Sequence, residues 1–177
     1  MPQLLTATEL ARTLEDMARQ IARDVPADAP LALVGIRRRG ETIAQRLQPL
    51  LEQNGRPAQH YGVLDITLYR DDLTTIGPHA SLRGTEIDFD VTGTWLVLID
   101  DVLYTGRSVR AALDALIDLG RPRAVRLAVL VDRGWRELPI QPDVVGLNVT
   151  TTARQIVKVK LSEVDGTEEV ELYEPAA

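Results

Sequence analysis

The chain contains no cysteine. That excludes disulfides, zinc–thiolate sites and a cysteine nucleophile. No apolar stretch approaches the roughly 18 residues of a transmembrane helix, and the N-terminus lacks the basic-then-apolar layout of a signal peptide. A cytoplasmic protein with no membrane partner is therefore expected. No excess of positive charge is present either: 20 Lys and Arg stand against 26 Asp and Glu, for a net charge of −6. The bulk charge does not announce nucleic-acid binding, although it leaves a local basic patch open. A Gly-x-x-x-x-Gly-Lys-Ser/Thr loop is missing, which argues against a P-loop enzyme. There is no internal repeat and no low-complexity segment. The two histidines, His60 and His79, carry no motif.

What is there is an ordinary globular composition: 177 residues, 45 % apolar and 26 % charged. One α/β domain over residues 1–177 is expected, with a core of useful size. Thr6-Ala7-Thr8-Glu9 reads as a capping box. Leu10, Leu14, Met17, Ile21 and Val25 follow at helical spacing, and Arg12, Glu15, Asp16, Arg19 and Arg23 mark the outward face. Leu31–Ile36 is an unbroken apolar run, as in a strand buried on both faces. Arg37-Arg38-Arg39-Gly40 comes next, then a helix marked by Ile43, Ala44, Leu47 and Leu51 and closed by Asn54-Gly55. His60–Tyr69 reads as a strand. Residues 70–94 lack a sustained period and form a long excursion, expected to be mobile and to hold at most a short hairpin; a loop that long usually has a job. Trp95–Ile99 is the next buried strand and Val109–Leu119 a helix closed by Gly120. Ala124–Val131 and Val144–Val149 are strands, and Val157–Leu161 and Glu168–Tyr173 flank an Asp165-Gly166 hairpin signal. The order implies a mostly parallel sheet flanked by helices. Ligands of such sheets sit beyond the carboxyl ends of the strands. The polar turns at residues 37–40, 100–108 and 132–135 should converge there.

The most informative stretch is Val97–Val109, in which an apolar run ends in Asp100 and Asp101 and leads through Tyr104-Thr105-Gly106-Arg107-Ser108 into a helix. Paired acids can accept hydrogen bonds from ribose hydroxyls. A hydroxyl-rich loop at a helix start can hold a phosphate through its amides. A Walker-B-like metal pair and a plain helix cap are the competing readings.

Val97–Val109 resembles the phosphoribosyl-pyrophosphate (PRPP) motif of type I phosphoribosyltransferases. Asp65–Leu73, Asp101–Arg107 and Leu130–Ile140 resemble, more narrowly, the PyrR family of bifunctional pyrimidine operon regulators and uracil phosphoribosyltransferases, over roughly residues 5–174. The resemblance implies a type I fold with a flexible loop over about residues 70–94 and a small hood. It implies conversion of uracil and PRPP to UMP and pyrophosphate, with Mg²⁺ carried mainly by PRPP rather than by side chains. It places Asp100, Asp101 and Arg70 at the reacting centre, with Arg83 a second candidate from the loop. Arg38 and Arg39 fall on the pyrophosphate turn, and Val102, Leu103, Tyr104, Thr105, Gly106, Arg107 and Ser108 on the 5′-phosphate loop. Arg133 and the backbone near Val157 fall at the base. It further implies a homodimer or larger homo-oligomer that grips pyr leader mRNA when a uridine nucleotide is bound. Arg12, Arg19, Arg23, Arg154, Lys158 and Lys160 are the available cations; Trp135 stands where the family pattern has His, and Leu147 where a Lys would help. The alternatives are an RNA-binding nucleotide sensor with little catalysis, and a phosphoribosyltransferase for another base.

Overall fold

In the computed structural model, residues 2–72 and 84–176 are described. Strands β2 (Leu31–Ile36), β3 (His60–Leu64), β4 (Trp95–Leu103), β5 (Ala124–Asp132) and β6 (Val144–Asn148) form one parallel sheet in the order β3-β2-β4-β5-β6. Strands β1 (Gln3–Leu5), β7 (Ile156–Lys160) and β8 (Glu169–Tyr173) form a smaller antiparallel sheet in the order β1-β8-β7. The sheet direction and the small second sheet agree with the architecture expected from the sequence.

Helix α1 (Ala7–Asp24) begins where Thr6 caps it: the Glu9 N–H donates to the Thr6 hydroxyl and the Glu9 carboxylate accepts from the Thr6 N–H. Its buried stripe is Leu10, Leu14, Met17, Ala18 and Ile21; each large side chain there contributes about 1.5–3 kcal/mol by leaving water. With Ile43, Leu47 and Leu51 of helix α2 (Arg39–Gln53) it covers Leu31, Leu33, Val97 and Ile99 on one sheet face. Helix α3 (Arg107–Leu119) buries Val109, Ala112, Ala115 and Leu116 on the other face, over Ala32, Val34, Leu96 and Leu98. The strands read as continuous apolar runs because successive side chains feed opposite layers.

Strand β1 is not among the elements read from the sequence, and three that are take a different form. β3 stops at Leu64, and Thr67–Tyr69 is a 3-10 turn; the Asp65 carboxylate accepts the Thr67 N–H at 3.0 Å and bends the chain there. β4 runs through the two acids to Leu103 rather than ending at Ile99, because β5 keeps pairing with it as far as Leu103–Asp132. Asp165-Gly166 is no two-residue hairpin turn: Ser162–Asp165 is a short helix, with Gly166 in the left-handed conformation after it. Within the 70–94 excursion, the described residues contain one antiparallel bridge, Val63–Glu86. His79 and Arg83 lie outside the described residues.

β2 pairs with β4 only as far as Gly35–Ile99. Beyond that point β4 has a neighbour on one side alone, since β2 turns away into α2 while β3 lies on the far side of β2. This reversal of strand order opens a crevice at the carboxyl ends. Asp100 and Asp101 are the first residues past it.

Candidate active site

A cavity of about 360 Å³ fills the crevice. Arg37, Arg38 and Arg39 form one wall, Asp65, Thr67 and Arg70 a second, and Asp100, Asp101, Val102 and Ser108 the floor. Gly40 makes this arrangement possible. A Cβ there would stand 2.4 Å from the Ile99 carbonyl oxygen and 3.2 Å from the Asp100 Cα. Only a glycine lets the start of α2 approach β4 beside the acids.

Two further cavities adjoin it. One, of about 100 Å³, is lined by Asp100 and by Val102–Gly106, Ser108 and Val109 at the start of α3. Gly106 precedes the helix with φ +91°, a conformation that side-chain-bearing residues resist. The other, of about 580 Å³, lies under the small sheet and is lined by Arg39, Asp101, Val157–Lys160, Asp165 and Thr167. The acid pair touches all three spaces: Asp100 borders the first two, and Asp101 the central cavity and the hood cavity.

Asp100 is 8 % exposed, and its carboxylate accepts the Asp101 N–H at 3.0 Å. Burial, then the neighbouring Asp101 charge, pushes its carboxyl well above the usual range. Asp100 therefore resists ionising until a cation or a hydrogen-bond donor arrives. Among the described residues Arg38 has no ion-pair partner. Arg39 is bidentate to Asp165, Nη2 to Oδ1 at 2.6 Å and Nε to Oδ2 at 3.2 Å. Arg37 is tied to Glu41, Glu86 and the Gly84 carbonyl. Arg70 pairs with Asp72 at 2.6 Å.

Two expected site residues, Arg107 and Arg133, do not line these cavities. The Arg107 guanidinium is held by Glu137 and Asp71, both at 2.6 Å, and the residue borders none of the three cavities. Arg133 is 5 % exposed and borders none of the three cavities. Its guanidinium stacks 4.0 Å from the centre of the Tyr104 ring and donates to the Thr152 carbonyl. Its distance along the chain from the acids concealed that contact.

Sequence reasoning also missed Arg136. Its guanidinium donates to the carbonyls of Tyr104 and Ile140 and to Asp132 at 2.6 Å, while the N–H groups of Glu137 and Leu138 donate to the Thr105 carbonyl. The 132–140 segment thus clamps the loop before α3. The spacing of Asp132 and Arg136 was the one available signal, and such pairs are common.

A parallel sheet with acids at its strand-order reversal, a phosphate-sized nook at a helix start and a small hood defines a phosphoribosyltransferase, and residues 2–163 match the phosphoribosyl transferase domain family. The hypoxanthine phosphoribosyltransferase of Trypanosoma cruzi shares the fold with TM-score 0.72 at 15 % identity, over 99 % of this chain and 98 % of that one. The Bifunctional protein PyrR of Thermus aquaticus is 55 % identical over 97 % of this chain and 95 % of its own length. That of Pelotomaculum thermopropionicum is 50 % identical over 98 % and 96 %. The chain belongs to the PyrR family of phosphoribosyltransferases. Among the described residues no helix is long and apolar enough to cross a membrane.

Proposed function

We propose that this chain is a cytoplasmic uracil phosphoribosyltransferase that converts uracil and PRPP to UMP and pyrophosphate. We propose also that, as a homodimer or larger homo-oligomer, it regulates pyrimidine operon expression by binding leader mRNA when a uridine nucleotide fills the site. One observation carries the catalytic reading: the acid pair borders three adjoining spaces, which match the three parts of the reaction's ligands. The 5′-phosphate sits in the nook, held by the amides and hydroxyls of residues 102–108 at the start of α3. Ribose and pyrophosphate fill the central cavity between the acids and Arg38, Arg39 and Arg70. The base lies under the hood, where backbone groups near Val157 read its edge. Arg133 acts through Tyr104 rather than on the base.

As the bond from the anomeric carbon to pyrophosphate breaks, positive charge grows on that carbon, and uracil N1 then bonds to it and sheds its proton. Asp100 and Asp101 accept hydrogen bonds from the ribose hydroxyls and place negative charge beside the developing cation. The arginines hold the departing anion. Among the described residues no cluster of three or more acidic or histidine side chains forms a cage for a metal ion. The carboxylate oxygens of Asp100 and Asp101 suit Mg²⁺ bound chiefly through PRPP and water, which would neutralise the pyrophosphate. For the regulatory arm, Arg12, Arg154 and Lys158 carry no ion pair among the described residues, whereas Arg19, Arg23 and Lys160 each pair with an acid.

Pyrophosphate release from PRPP and Mg²⁺, offered uracil, orotate, hypoxanthine or adenine in turn, tests the enzyme. Release with uracil alone is expected, and no release with uracil refutes the reading. A gel shift of uracil-leader RNA that UMP does not alter refutes the regulatory half.

A further inference from the structure

The contact between Arg39 and Asp165 joins two parts of the molecule that the chain separates by most of its length. Arg39 starts α2 on the pyrophosphate side, and Asp165 ends the short helix between β7 and β8 in the hood. Asp165 Oδ2 also accepts the Leu161 N–H at 2.9 Å, so its carboxylate is fixed by its own turn before it meets the arginine. The exposures are 33 % for the Arg39 side chain and 18 % for Asp165. Both residues border the hood cavity, and Arg39 also borders the central one. A guanidinium has five N–H donors. Asp165 takes two of them, leaving the others for a ligand. Arg38, one residue earlier, has no such anchor among the described residues.

We propose that Asp165 is a positioning residue: it pre-orders the Arg39 guanidinium at the partition between the two cavities and so sets the affinity for the pyrophosphate group of PRPP. The argument rests on the reading of Arg39 as a pyrophosphate ligand. A long side chain held in a planar, bidentate pair is already ordered when the anion arrives, so binding does not have to order it. The same short helix is braced a second time, away from the cavities. Arg46 pairs with Glu163 and with Glu168, both at 2.5 Å. That brace supplies a control for simple loosening of the hood.

The test is calorimetric titration of PRPP with Mg²⁺, and separately of UMP, which lacks the pyrophosphate. Asp165→Asn keeps an acceptor for the Leu161 N–H but loses the charge. It should weaken PRPP about five- to tenfold, the range for a partly exposed charge-assisted pair, and weaken UMP, whose base shares the hood cavity with Asp165, distinctly less. Asp165→Glu should recover part of the loss. Added to Arg39→Ala, Asp165→Asn should have no further effect, as expected when one residue acts through another. Arg46→Met should lower the melting temperature without changing the ratio of the two affinities. Equal weakening of PRPP and UMP by Asp165→Asn, or no weakening of PRPP, overturns the proposal. A wild-type protein that binds UMP but not PRPP overturns the pyrophosphate reading beneath it, an outcome seen before any substitution is made.

Discussion

Arg136 is the residue whose loss should be felt furthest from its own position. Arg136→Met keeps most of the stem and removes the guanidinium. Two carbonyls, Tyr104 and Ile140, then lose a charged donor, and Asp132 loses its partner. The side chains of Arg136 and Asp132 are only 15 % and 14 % exposed. Breaking a buried pair costs about 3–5 kcal/mol. The Gly134 N–H stays on Asp132 at 2.9 Å and solvent reaches the rim, so about 3 kcal/mol is expected. Urea denaturation followed by tryptophan fluorescence reads it. Arg23→Met is the control, because Arg23 and Asp24 are 72 % and 50 % exposed and such a pair contributes only about 0–1 kcal/mol. The pH dependence adds a second check. Burial alone would raise the Asp132 carboxyl; the Arg136 hydrogen bond and charge, with the Gly134 N–H, bring it below the ordinary value. In the wild type the folded-state value is depressed, so this contribution is present above the unfolded value, about 3.9, and is lost as the pH falls through the folded one. In the variant, burial acts with less opposition, and acid favours the fold by protonating Asp132. The gap between the two proteins should therefore narrow on acidification below about pH 5. A loss under about 1 kcal/mol at neutral pH, or a gap that widens in acid, refutes the clamp.

Gly106→Ala places a Cβ at φ +91° and 3.3 Å from the Ile140 side chain; it should cost about 1–3 kcal/mol and weaken UMP in a fluorescence titration. Gly40→Ala forces α2 off the Ile99 carbonyl and should abolish pyrophosphate release even where circular dichroism shows a folded chain. The Arg46 hydrogen bond holds Glu163 down to about 2, so the bracing of the hood is complete above the ordinary glutamate value and lost as the pH falls from there toward about 2. Thermal melts between neutral pH and pH 3 should show a shallower acid-side decline for Arg46→Met than for the wild type. If RNA is bound through Arg12, Arg154 and Lys158, which have no ion pair among the described residues, its affinity should fall with salt with a logarithmic slope of about −2; a salt-independent affinity would exclude these cations.

The layered fold was legible because its signals are local. The Thr6–Glu9 capping box, the helical spacing of Leu10 to Ile21 and the unbroken run of Leu31–Ile36 each follow from short-range chemistry, and the structure bears them out. What failed was the judgement of where strands end. Acids after an apolar run look like a terminus, but β4 continues past Asp101 because the β5 ladder continues, and a ladder is a property of two segments. Asp165-Gly166 failed for a related reason. The pair suits a tight hairpin, yet the Leu161 N–H bonds to the Asp165 carboxylate and closes a helical turn instead.

The site shows the same division more sharply. Asp100, Asp101 and the loop to Ser108 are contiguous in the chain; Asp100 and most of the loop line the nook, and both acids with Val102 and Ser108 line the central cavity. Arginines are harder to read, since a guanidinium reaches far and the sequence does not name its partner. Arg38 and Arg70 line the central cavity, but Arg107 turns to Glu137 and Asp71 and Arg133 to Tyr104. Different partners decide these outcomes: two acids hold Arg107, whereas an aromatic ring and the Thr152 carbonyl hold Arg133. Arg39 and Arg107 each give two of five N–H donors to acids remote in sequence; what separates them is position, since Arg39 borders the central and hood cavities and Arg107 borders none of the three.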